Sequence, residues 1–219
     1  MKLTIHPLTP ERWPDLEALF NARGCSIARG CWCMYYRESG KAEVPAGQTL
    51  AQARRTRLKA LTDAKGVPPG LIGYLEPPGP PPCGSPFPEG EAGSLGRPGA
   101  SRGEIPVGWV TLGPREDFAK LKRSPVMKPV DEQPVWSIVC FVVPAEYRGQ
   151  GVARALLQGA VAWAARRGAK LLEAYPVDKP QRSHDEFLWH GAKSMFDAAG
   201  FEEVARRKPQ RPVVRLRLV

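Results

Sequence analysis

The sequence predicts an α/β domain built on a mixed β-sheet, and three observations carry that prediction. The run VWSIVCFVV (Val135–Val143) is apolar with little alternation, the pattern of a central strand buried on both faces. The Ala/Leu-rich segment GVARALLQGAVAWAARRG follows it, and then KLLEAYPV, so strand, helical crossover and parallel strand form a βαβ unit. Upstream, LIGYLE (Leu71–Glu76) and IPVGWVTL (Ile105–Leu112) read as the two strands of an elongated hairpin.

The remaining elements follow from caps and spacing. LTPERWPDLEALFNARG offers Thr9 as N-cap, Pro10 at the first helical position and Gly24 as terminator, with Leu16, Leu19 and Phe20 at helical spacing. Pro14 breaks that register, so a start at Pro14 is the alternative. GQTLAQARRTRLKALTDAKG reads as a second helix with Leu50, Leu58 and Leu61 on one side. Its basic residues Arg54, Arg55, Arg57 and Lys59 then form a solvated face. After the βαβ unit come a helix in FLWHGAKSMFDAAG, a strand in FEEVARR and a last strand in VVRLRLV. In that last strand Val214, Leu216 and Leu218 face one way, and Arg215 and Arg217 face the other, like a solvent face.

The chain of 219 residues suits one domain, 1–219, carrying an insertion at about 77–103. Fifteen of those 27 inserted residues are Pro or Gly, which favours a low-complexity loop between the two hairpin strands over a packed element. Its PPGPPP run favours polyproline II, which leaves a partner-binding role open.

The formal charge of +10, from 32 basic and 22 acidic residues, favours anionic ligands: nucleic acid, an acidic protein surface or a polyphosphate cofactor. No apolar run approaches a membrane span, and the start MKLTIHPLTPERW has neither an apolar signal core nor a small-residue cleavage site. The expectation is a cytoplasmic protein with no membrane partner. Five cysteines, an odd number, do not make a secreted disulfide framework, so reduced thiols are expected.

Between strand and helix lies the turn AEYRGQG, where Gly149 and Gly151 permit close approach to a helix start whose unpaired N–H groups attract anions. Arg148 and Arg154 add charge. A P-loop is excluded because no G-x-x-x-x-G-K-[ST] occurs. A dinucleotide fingerprint starts well with GQGVAR, and Glu173 stands where a ribose-binding acid belongs. Its third glycine, however, is Arg154, and five residues separate Val143 from Gly149 where a tight turn is required.

RGQGVA (Arg148–Ala153) instead matches [RQ]-x-x-G-x-[GA], and here the sequence resembles the GNAT superfamily of acetyl-CoA-dependent N-acetyltransferases. The order of elements extends the match: SIVCFVV before the turn, a helix closing near RRGAK, a strand, and MFDAAGFEEVAR downstream. It is specific across Val135–Arg207 and topological before that. The resemblance implies a mixed, splayed central sheet flanked by helices on both faces, with acetyl-CoA as cofactor. It implies that backbone N–H groups from about Gly149 to Ala153, through Gln150, Gly151 and Val152, cradle the diphosphate, with Arg148 and Arg154 beside them as part of the cofactor site. Phe141, Val142 and Val143 would pair with the pantetheine arm, and an N–H at Phe141 or Val142 would polarise the thioester carbonyl.

Acetyl transfer needs a neutral amine, a stabilised oxyanion and a leaving thiolate. Glu173, on the strand after the helix, is the first expectation for a base, with Glu146, Asp178, His184 and Asp185 as alternatives and an exposed strand residue as the bland reading. Family members often carry a Tyr four residues before the Gly of the GF pair to protonate the thiolate; Phe196 stands there in this chain. Tyr175 or Ser194 is the expected substitute, and Phe196 is expected to pack. The departure also admits a coenzyme A-binding module without efficient chemistry.

GCWCMYYR (Gly30–Arg37) is the other conspicuous stretch. C-x-C without a second cysteine pair or clustered histidines does not make a zinc site, so Cys31 and Cys33 are expected in packing or in an acceptor pocket. Trp32, Tyr35 and Tyr36 fall where the family often borders its acceptor, and are otherwise core or surface aromatics. The acceptor is an amine, on a small molecule or a protein. A nucleic-acid association is the competing partner expectation, from the tail RRKPQRPVVRLRLV with its six basic residues and no acid. The C-terminal strand suits either a sheet edge or a homodimer sheet.

Overall fold

The computed structural model describes residues 2–76, 104–179 and 189–218; the Pro/Gly-rich insertion at 77–103, with His184 and Asp185, lies outside them. Seven strands form one open sheet: β1 (Leu3–Pro7), β2 (Leu71–Leu75), β3 (Ile105–Pro114), β4 (Trp136–Val142), β5 (Leu171–Ala174), β6 (Glu202–Lys208) and β7 (Arg211–Arg217). Their spatial order is β1-β2-β3-β4-β5-β7-β6, and only β4 and β5 pair in parallel. The strand expected to be central is central. Both of its faces are covered, and Ser137, Ile138, Val139, Phe141 and Val142 are buried.

Helices cover both faces. On one side α5 (Val152–Arg166) packs Val152, Leu156, Leu157, Ala160 and Ala164 onto the sheet, joined by Phe196 of α6 (Lys193–Asp197). On the other, α1 (Trp13–Asn21), α2 (Ser26–Cys31) and α3 (Leu50–Asp63) close a second core around Trp13, Leu16, Phe20, Trp32, Leu58 and Trp109. A short α4 (Ala119–Arg123) sits before β4. The helix α5 lies close against β1 because residue 159 has no side chain. A Cβ there would come within 2.7 Å of Ile5.

Several expectations change in detail. Both start signals at the first helix are used: Pro10–Arg12 forms a 3-10 turn, and α1 begins at Trp13 with Pro14 in its first turn. The strand β1 and the helices α2 and α4 were not foreseen, because LTIHP, SIARGC and AKLKR are too short to show a period. In α3 only Leu58 of the three leucines is buried, while Leu50 and Leu61 are exposed. That helix is fixed instead by a reciprocal capping box between Thr49 and Gln52 and by Arg54 and Arg57 reaching Glu38, so its basic face is not simply solvated. The helix expected in FLWHGAKSMFDAAG is confined to α6 among the described residues, with Trp189–Ala192 forming a turn before it.

The largest correction concerns β7. Arg215 is buried, not solvent-facing: it donates to both oxygens of Asp131 and from Nε to Glu173 Oε2 at 2.9 Å. Arg115, also buried, bonds the other Glu173 oxygen and the Tyr175 hydroxyl. Glu173 is 0% exposed and also accepts from Tyr175 at 2.7 Å. One carboxylate therefore joins the segment after β3 to β5 and β7 inside the sheet.

Two stability changes follow. Glu173→Ala strands two buried guanidinium groups and should lower unfolding stability by about 3–5 kcal/mol in urea titration, against about 0.5 kcal/mol or less for an ordinary surface change. Gly159→Ala should overpack the α5–β1 contact and cost about 1–3 kcal/mol although alanine is the better helix former.

Candidate active site

Where β4 runs past β5 the sheet opens. The two strands pair from Trp136 with Leu172 to Ile138 with Ala174, and β4 then continues to Val142 without β5 beside it. A turn enters the gap: the amide of Phe141 donates to the Trp189 carbonyl at 2.6 Å, and Val177 bridges Ala192. A cavity of about 800 Å³ begins here and extends to the start of α5, lined by Cys140–Val143 along the strand.

At one end the chain turns from β4 into α5. Arg148 shapes that turn, donating from Nε to the Val143 carbonyl at 3.0 Å and from Nη2 to the Gly24 carbonyl at 2.6 Å. Gly149 and Gly151 have φ +73° and +84°, and a Cβ at either would meet nothing within 4 Å. Their left-handed backbone, not crowding, is what calls for glycine. No side chain caps α5 at Gly151, so its first amides and their partial positive charge face the cavity, lined here by Val152, Ala153 and Arg154. Gln150 is turned back to the Glu146 carbonyl at 2.7 Å and does not line the cavity. An open-ended helix behind a glycine turn, flanked by two arginines, fits a diphosphate, and the end of β4 beside it, no longer paired with β5, fits an extended amide-bearing chain.

The other end is built by the cysteine-rich loop. Trp32 and Cys33 both adopt left-handed φ, +47° and +50°, a conformation non-glycine residues rarely take. The reversal sends Trp32 into the core, stacked on Trp13 with ring centroids 5.8 Å apart. Cys33 instead reaches β4, where hydrogen bonding from Cys140 lowers its thiol below the usual range, with Thr111 and Trp109 contributing. Burial, with Cys33 beside it, pushes the Cys31 thiol up to about 11. Both cysteines line the cavity, as do Tyr35 and Tyr36. Tyr36 Oη lies 2.8 Å from His190 Nε2. Among the described residues no group of three or more His, Cys, Asp or Glu is placed to hold a metal ion.

The cofactor-turn residues and Phe141, Val142 and Val143 are thus brought together. Glu173 and Tyr175 are not among the residues that line the cavity. Glu173 pairs across from Ser137, about 13 Å along β4 from Phe141 at 3.3 Å per residue, and its oxygens are held by two arginines and Tyr175. Neither member of the pair expected to move protons reaches the open edge. Asp178 is engaged by Arg206, Ser194 does not line the cavity, and Phe196 packs edge-to-face on Phe141 and Phe201. Cys140, Trp189 and His190 were missed, since nothing in sequence marks a contact spanning 154 positions.

The profile of the Acetyltransferase (GNAT) family matches residues 73–188, more than half of the chain. No curated protein matches it. Among solved structures, the mosquito arylalkylamine N-acetyltransferase like 5b superposes with a TM-score of 0.53 at 9% identity, covering 99% of this chain and 100% of that one. An acetyltransferase from Thermus thermophilus gives 0.47 at 18% identity, covering 100% and 98%. The PaiA N-acetyltransferase of Thermoplasma acidophilum in complex with coenzyme A gives 0.44 at 12%, covering 99% of each chain. With an open seven-stranded mixed sheet, a glycine turn leading into an uncapped helix, and a family match over most of that unit, the chain belongs to the GNAT acetyltransferases, acyltransferases that use acetyl-CoA.

Proposed function

We propose that this protein is an N-acetyltransferase that moves the acetyl group of acetyl-CoA directly to a primary amine, on a small molecule or a protein, within a ternary complex. The observation that carries the reading is the continuity, in one cavity, of the uncapped α5 N-terminus with the end of β4 that β5 no longer pairs. The amides from Gly149 to Arg154 would hold the diphosphate, with Arg154 exposed and free to meet it, while Arg148 holds the turn in shape. The pantetheine arm would lie along Val142 and Val143.

The amide of Phe141 would donate to the acetyl oxygen as negative charge builds on it. In the structure that amide bonds a carbonyl, that of Trp189, so an acetyl oxygen would replace one acceptor by another. The amine would enter from the side of Cys31, Tyr35 and Tyr36. Glu173 and Tyr175 serve in this reading as the internal anchor of the sheet and not as the base.

The basic C-terminus gives little support to a nucleic-acid role. Arg215 is spent on Glu173 and Asp131, Arg206 on Glu203 and Asp178, and Arg207 on the carbonyls of Val126, Lys128 and Pro129. Among the described residues no helix is long and apolar enough to cross a membrane.

Calorimetric titration with acetyl-CoA tests the proposal. Wild type should bind, Gly151→Glu should lose binding at least about 100-fold by placing a carboxylate at the helix start, and exposed Arg154→Glu should weaken it roughly tenfold with the fold intact by circular dichroism. An amine screen monitored by thiol release then separates a transferase from a binding module. Failure of wild type to bind would sink the reading.

A further inference from the structure

Tyr36, from the loop after α2, and His190, from the turn before α6, meet in the cavity wall with Oη 2.8 Å from Nε2 and the rings edge-to-face. The side chain of Trp189 also hydrogen-bonds Tyr36, and its indole has only an N–H to give. Two observations orient this group. His190 is 3% exposed, and burial together with the charge of Arg211 holds its imidazole neutral, so the ring carries one N–H. Its Nδ1 is buried with no hydrogen-bond partner. An orphaned buried N–H is rarer in folded proteins than an under-used acceptor, which places the proton on Nε2. Tyr36 Oη then accepts from both His190 and Trp189, and its own O–H is left for the cavity that it lines beside Cys140 and Phe141.

We infer that Tyr36 is a catalytic proton donor to the departing sulfur of coenzyme A, and that His190 is the positioning residue that aims it. The inference rests on the acetyl-transfer reading and supplies the hydroxyl that Phe196, packed between Phe141 and Phe201, does not. The amine nitrogen bonds the acetyl carbon, and as the tetrahedral centre collapses the C–S bond breaks and its electron pair passes to sulfur. The Tyr36 proton moves to that sulfur, and the lone pair it leaves on the phenol oxygen then takes the surplus proton of the new C–N bond. One proton has passed from nitrogen to sulfur, and nothing else is consumed.

The groups facing Tyr36 are Cys140 from β4, Arg211 from β7, the adjoining Tyr35, and the Trp189–His190 turn. Burial outweighs Arg211 and raises the phenol above its ordinary value, so Tyr36 keeps its proton until the departing sulfur takes it.

The test needs no acceptor. Ionisation of bound coenzyme A is followed by its thiolate absorbance across pH, with the complex of desulfo-coenzyme A subtracted to cancel the protein's own cysteines. A hydroxyl that donates to the sulfur stabilises the thiolate, so the bound thiol should titrate about one pH unit lower in wild type than in Tyr36→Phe, with similar affinity for the cofactor. His190→Gln, which retains an N–H donor, should keep most of that shift, and His190→Leu should lose it. Equal titration in wild type and Tyr36→Phe overturns the assignment while leaving acetyl-CoA binding intact. Failure of wild type to bind coenzyme A overturns both readings. Should His190→Leu not fold, Tyr36→Phe removes a single oxygen and still decides.

Discussion

The Glu173 carboxylate, with one arginine on each oxygen, sits on the middle of the three rungs that β4 and β5 share before they part. A sheet that splits along its middle gives up the hydrogen bonds that would hold both halves in register. The compensation is placed just below the split: Arg115 follows β3, Arg215 lies on β7, and both converge on β5. A buried charge held in this way is a geometric constraint more than a source of stability, since an apolar filling of the same volume would do as well energetically. What it supplies is a fixed place for the divergence, and with it the end of β4, no longer paired with β5, on which the cavity is built.

The central strand, the crossover helix and the turn between them were legible because each is dictated locally: apolar run, helical period, glycine where φ is positive. Phe196 was legible as a packing residue for the same reason. The setting of Glu173 was not legible because it is assembled from positions 115 and 215, and a single acid in a short strand looks alike whether it faces water or two arginines. Arg215 was misread as its mirror image, its alternation with Val214 and Leu216 reporting a face but not what covers that face. Tyr36 and His190 come from opposite ends of the chain. The consecutive left-handed residues Trp32 and Cys33 were equally invisible, since nothing in their identity announces a conformation of about 1–3 kcal/mol strain each.

The cavity divides its work between backbone and side chains. At the α5 end recognition falls to amides and a helix terminus, which depend on two glycines and tolerate variation around them. At the other end the surface is built from thiols and phenols carried on an irregular loop, where the proposed function places acceptor choice. The two ends are joined through Arg148, whose guanidinium spans from the turn to the Gly24 carbonyl in the segment leading into α2.

The Phe141 amide, the donor proposed for the acetyl oxygen, is already bonded to the Trp189 carbonyl. On the proposed reading an incoming acyl oxygen would gain almost nothing for its ground state by taking that place, since one neutral acceptor would merely succeed another. The exchange becomes favourable only when the oxygen turns anionic, at the tetrahedral stage. On that reading the cap on this amide would act as a filter on charge development, separating attachment of the cofactor, which would be left to its phosphates, from acceleration of the chemistry.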